Sequence, residues 1–136
     1  MRGASALDRL LAEFPGAPIR VQVVWEPVLW TDVAAPRARV LALLGDRRVT
    51  QYWDPGRVIS EDLVRSVNAA PARFGREEAL PPGFISWDVV AVFAKSARWE
   101  RDVPVPAHYD GPVVQAIDAT RKAIAGALAG APETAR

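Results

Sequence analysis

The 136 residues fit one domain, long enough to bury roughly two-thirds of the surface of the unfolded chain, and composition close to globular averages indicates neither a disordered nor a membrane class. Seventeen basic residues against sixteen acidic ones leave a net charge of +1, without the basic excess that nucleic-acid binding uses. The absence of cysteine excludes disulfides, thiolate metal sites and dithiol redox chemistry, and a single histidine excludes a multi-histidine zinc site.

The first predicted element is a short helix over Ala6 to Phe14, capped by Ser5 and stopped by Pro15 and Gly16, with Leu7, Leu10, Leu11 and Phe14 on one face. Asp8, Arg9 and Glu13 fall where a signal peptide needs an apolar core, so this segment does not read as an export signal. No apolar run approaches the roughly 18 residues of a membrane span. A soluble, cytoplasmic protein is the expectation.

Val21 to Trp25, held between Pro18 and Pro27, reads as a buried parallel strand, and the loop after it, Glu26 to Asp32, is where an open α/β sheet places its ligands. Pro36 then opens a second helix with Val40, Leu41 and Leu44 on its apolar face and Gly45 at its end. A second strand follows over Val49 to Trp53, in which Val49, Gln51 and Trp53 alternate with Thr50 and Tyr52. Asp54-Pro55-Gly56 is a turn. Ser60 is predicted to cap a third helix with Leu63, Val64 and Val67 facing inward.

Ala69 to Gly83, with three prolines and two glycines, is longer than an ordinary connector and marks a second candidate functional segment. Phe84 to Phe93 reads as a strand carrying Trp87, and the charged stretch Ala94 to Val105 as a hairpin connection, so the strand ending near His108 and Tyr109 is expected to be antiparallel. Asp110-Gly111-Pro112 opens the last helix, with Val114, Ile117, Arg121, Ile124 and Leu128 on one stripe and Gly130 and Pro132 at its end. Residues 131–136 are expected to fray.

The order helix, strand, helix, strand, helix, strand, strand, helix resembles the thioredoxin fold over about residues 19–128, within a single domain spanning 1–136. That resemblance implies an α/β fold, a three-layer α/β/α sandwich with a mixed central sheet in which Val21 to Trp25 neighbours Val89 to Phe93. The wording Trp25-Glu26-Pro27-Val28-Leu29 and Tyr109-Asp110-Gly111-Pro112 is similar to a group of uncharacterised bacterial thioredoxin-like proteins. The family's CxxC is replaced here by residues without sulfur, and Pro81 and Pro82 lie several residues before Trp87 rather than directly ahead of the hairpin as the family's cis-proline does.

Three groups of residues are candidates for chemistry. Glu26, Asp32, Asp54 and Asp110 fall at predicted strand ends, where they can converge on Mg²⁺ or Mn²⁺ for hydrolysis, although helix capping and turn bonding account for three of the four. Of the five tryptophans, Trp25, Trp53 and Trp87 are expected to pack, Trp30 and Trp99 to be exposed. His108 beside Tyr109 forms a candidate acid/base pair, against the more common structural use of a lone histidine.

The leading functional reading is a redox-inactive module, with no catalytic residue, metal or cofactor, that binds a peptide, a partner protein or a small ligand. Its site would comprise Glu26, Pro27, Trp30, Asp32, Asp54 and Pro82, with Pro27, Trp30 and the Ala69 to Gly83 loop lining one groove. The metal-assisted hydrolase is the alternative. Nucleic acid and membrane are not expected partners, and the oligomeric state stays open.

Overall fold

The computed structural model describes residues 2–130, and its first element, helix α1, covers Arg2–Ala12. The helix begins ahead of Ser5, which therefore lies within it rather than capping it. Tertiary packing supplies the reason: a side chain added at Gly3 would come within 3.2 Å of the Val113 Cβ, so the first turn is held against another element. Beyond Ala12 the chain tightens through bonds from the Glu13 and Phe14 N–H groups to the Leu10 and Leu11 carbonyls, and Gly16 turns it with a φ of 71°.

Strands β1 (Val21–Trp25) and β2 (Val49–Trp53) fall on their predicted ranges and pair in parallel, from Val21 opposite Val49 to Trp25 opposite Trp53. On β2 the outward residues are Thr50 and Tyr52, the alternation expected of a strand with one covered face. Between them helix α2 is reduced to Ala38–Leu41. After that turn the Leu43 and Leu44 N–H groups bond three residues back, and the Gln51 side chain donates to the Leu41 carbonyl at 2.9 Å, which closes the helix early.

Helix α3, Val58–Asn68, starts two residues before Ser60. Its cap is Asp54, whose carboxylate accepts the Ile59 N–H at 2.8 Å and the Gly56 N–H at 3.2 Å. Arg57 takes a φ of 57° to allow this entry. Val64 and Val67 are buried with Leu80, and Leu63, Phe74 and Tyr109 pack on that cluster. The segment after α3 is less irregular than its composition implies. A 3-10 turn covers Pro71–Phe74, and Asn68 grips Leu80 by donating to its carbonyl and accepting its N–H at 3.0 and 2.7 Å.

The predicted long strand over Phe84 to Phe93 is reduced to β3, Val90–Val92, paired antiparallel with β4, His108–Asp110. Local bonding explains the shortening: the Ser86 N–H goes to the Ser60 hydroxyl, the Trp87 N–H to the Ile85 carbonyl, and Asp88 adopts a φ of 51°, incompatible with an extended ladder. The antiparallel hairpin is as predicted. The single mixed sheet is not: among the described residues the ladders form two separate pairs, β1 with β2 and β3 with β4, because so short a β3 makes no ladder with β1.

Helix α4, Val113–Ala129, follows a cis Gly111–Pro112 bond and runs in the same direction as α1, with Gly3 beside Val113 and Arg121 bonded to Glu13 at 2.6 Å. Its buried face is Ala116, Thr120 and Ile124, rotated from the predicted stripe by this packing, so that Val114 and Leu128 are exposed. Successive residues of β4 reach opposite sides: His108 meets Thr120 of α4, while Tyr109 packs edge-to-face on Phe74. The architecture is thus mixed α/β, with four helices and two small sheets among the described residues. No helix among them is long and apolar enough to cross a membrane. The predicted frayed tail, 131–136, lies outside the described residues.

Candidate functional site

The paired ends of β1 and β2 fix where the candidate site begins, because the Asp54 N–H continues the ladder by donating to the Trp25 carbonyl at 2.9 Å. This places Glu26 and Asp54 side by side at the start of α3. Asp54 caps the helix. The Glu26 carboxylate lies half-buried near Ser60. Burial pushes its pKa up and the neighbouring Asp54 charge adds to this, while the neighbouring Ser60 and Arg57 oppose it.

Ser60 carries the connection further. Its Oγ accepts the Ser86 N–H at 2.6 Å, and the Ser86 hydroxyl lies 3.2 Å from the Tyr109 hydroxyl. A polar chain therefore runs Ser60, Ser86, Tyr109 and ties α3, the segment before β3, and β4 to one another. At 2% exposure Ser60 is closed to a substrate, so the chain positions backbone rather than supplying a nucleophile. Ser60 and Ser86 were not among the predicted site residues. The signal for Ser60 was present in its spacing, since it stands one turn before Val64 on the inward face of α3.

Asp32 closes the loop after β1 on itself. Its carboxylate accepts the Val28 and Leu29 N–H groups at 3.1 and 2.8 Å, and its N–H returns to the Leu29 carbonyl at 2.9 Å. It does not cap α2, which starts several residues later behind Arg37. The compact turn leaves its apolar side chains outside: Leu29 is 62% exposed, Trp30 91% and Val33 86%, with Pro27 half-buried beneath. Trp99 is also exposed and packs on Phe93. Trp87, expected to pack in a strand, is 68% exposed, because the turn at Trp87 and Asp88 takes it out of any ladder.

Pro82 belongs to a different surface. It lines a groove of about 290 Å³ between α3 and the Leu80–Phe84 segment, together with Val64, Asn68 and Phe84, and neither Pro27 nor Trp30 is among the residues lining it. A larger groove of about 630 Å³ lies at the end of α1 between Leu11, Pro15, Pro18, Asp46 and Arg48. There the Arg48 guanidinium is committed to the Leu11 and Phe14 carbonyls at 2.7 and 2.6 Å and to Asp46 at 2.6 Å. This is a helix C-terminal clamp.

Three of the four strand-end carboxylates are thus engaged with the chain itself: Asp54 at the start of α3, Asp32 within its loop, and Asp110 with the Gly111 N–H at 2.8 Å, while Glu26 lies half-buried beside Asp54. Asp110 does not cap α4, whose N-cap residue is Pro112. Among the described residues no group of three or more His, Asp or Glu side chains is placed to hold a metal ion. His108 and Tyr109 do not act together, since one faces Thr120 and the other Ser86. What the loop after β1 offers is surface: an indole with two aliphatic neighbours on a turn whose one carboxylate is already bonded.

No family model matches the chain, and no curated protein or solved structure matches it.

Proposed function

We propose that the chain is a redox-inactive, thioredoxin-like binding module that docks an extended peptide or a partner protein on the Leu29–Val33 loop. One observation carries the reading: Trp30 is 91% exposed, between the exposed Leu29 and Val33, on a turn braced by Asp32. Leaving an indole in water forgoes one of the largest burial gains a side chain offers, and rigid aromatic anchors dominate binding surfaces. The Asp54 bonds to the Trp25 carbonyl and the Ile59 N–H fix the base of the loop to α3.

The fold part of the proposal, a three-layer thioredoxin-like sandwich, is supported by the element order and by β4 sending His108 to α4 and Tyr109 to the α3 side. Thiol exchange is excluded because no residue can form the mixed disulfide it requires. The test is selection of random displayed peptides on immobilised wild-type chain, followed by affinity measurement on Trp30→Ala. Selected peptides are expected to lose most of their affinity. Peptides that ignore Trp30→Ala but are lost on changing Phe84 would move the site to the groove beside α3.

A further inference from the structure

We propose that an extended peptide segment adds to this chain as a third strand along the free edge of β1; the proposal rests on reading the chain as a peptide-binding module and names how the peptide is held. The first observation is the direction of the β1 bonds. The Val21 N–H donates to the Arg48 carbonyl at 3.0 Å and the Trp25 carbonyl accepts the Asp54 N–H at 2.9 Å, so Val21, Val23 and Trp25 turn their main-chain groups toward β2. The N–H and C=O groups of Gln22 and Val24 therefore point to the opposite edge. There β1 has no ladder partner, and none of these groups bonds to other backbone or to a side chain among the described residues.

The sheet itself is incomplete. In register, Gln22 stands opposite Thr50 and Val24 opposite Tyr52, and on this face Gln22 and Thr50 are exposed and Tyr52 is 49% exposed. Parallel strands are ordinarily covered on both faces and joined into larger sheets. Exposed edges are ordinarily guarded by a lysine, a proline or a bulge, and Val21–Trp25 has none of these.

Free N–H and C=O groups on an extended strand are met by an extended main chain, which is the strand-addition mode of peptide recognition. Antiparallel pairing is the more stable, so the segment runs against β1, with its C-terminal end beside Arg20 and its N-terminal end at Pro27, where the turn carrying Trp30 begins. Arg20 is exposed and forms no ion pair among the described residues, which selects a carboxylate at that end. Alternate side chains of the segment fall beside Gln22 and Val24, the others beside the apolar, partly buried Val21, Val23 and Trp25. The occupant is thus an extended, mainly apolar segment with an acidic C-terminal end.

Amide hydrogen exchange of the full chain, read by NMR with and without peptides selected from the random displayed library, tests this. Exchange at the Gln22 and Val24 amides should slow by about tenfold or more on binding, while the Val21, Val23 and Trp25 amides, already in the β1–β2 ladder, change little. Methylating the peptide's backbone nitrogens one at a time should abolish binding at alternate positions, and Arg20→Ala should weaken it about twofold to fivefold. Peptides that need Trp30 but leave Gln22 and Val24 unprotected overturn the added strand while the Trp30 surface stands. Protection that survives Trp30→Ala supports the added strand and removes Trp30 from the site. A library that yields no binder overturns the proposal. Protection of the same amides in the free chain, rising with its concentration, assigns the edge to a second copy and overturns the peptide.

Discussion

The Ser60 hydroxyl accepts the Ser86 N–H at 2.6 Å, which fastens the first turn of α3 to the segment before β3. Asp54 joins that turn to the end of β1, its carboxylate accepting the Ile59 N–H and its N–H donating to the Trp25 carbonyl. The base of the exposed loop is set by the Asp54 contacts, while its tip is set by Asp32.

Burial raises the Glu26 pKa above its ordinary 4.5, so the folded state holds this proton more tightly than the unfolded state does. Its favourable contribution is complete below that ordinary value and is lost as pH rises through the folded value. Glu26→Gln should therefore melt a few degrees above wild type at neutral pH, with the gap closing at acidic pH. Thermal melts at several pH values check this, and a lower melting temperature for the variant at neutral pH would mean that the neighbouring Ser60 and Arg57 outweigh burial.

Asp46 shows the opposite sign. The Arg48 guanidinium, with help from the Arg48 N–H, lowers its pKa from 3.8 to about 2. Its contribution is present above 3.8 and is lost as pH falls through about 2. Asp46→Asn should destabilise the chain at neutral pH, and the difference from wild type should shrink across that acidic window. Arg48→Ala should cost more, because it also frees the carbonyls at the end of α1.

Leu11 is fully buried and Trp87 largely exposed. Leu11→Ala should lower stability by about 2 to 5 kcal/mol through the cavity it leaves, while Trp87→Ala should leave the melting temperature nearly unchanged. Chemical denaturation of the two variants reads both. A large loss at Trp87 would place that indole in a contact absent from the isolated chain.

Ser60→Ala removes the acceptor of the Ser86 N–H. Leaving this part-buried N–H unpaired should cost about 1 kcal/mol, the low end for a buried donor. Hydrogen exchange should show the Ser86 amide losing protection in this variant before the β1–β2 ladder does.

The strands β1 and β2 were legible because β-branched runs bounded by prolines, and a clean alternation in Val49–Trp53, leave little other use for those residues. The exposure of Trp30 was legible from its place in a proline-flanked loop. Phe84–Val89 was not: its composition favours a strand, yet Ser86 gives its N–H to a serine far away in sequence and Asp88 turns the backbone. The helix starts failed for a related reason. Ser5 and Ser60 are good caps, but packing beside Val113 and the carboxylate of Asp54 decided where α1 and α3 begin. The Ser86 and Tyr109 hydroxyls, 3.2 Å apart, belong to segments with no shared periodicity, so no sequence pattern announces their contact.

The account turns on Trp30, and fluorine NMR of the chain labelled with 5-fluorotryptophan tests it most directly, each of the five indole signals being assigned by single replacement. On titration with a selected peptide, the Trp30 signal should shift most, while those of Trp25 and Trp53 stay in place. A Trp30 signal that does not move while binding proceeds would contradict the claim that this loop is the docking surface.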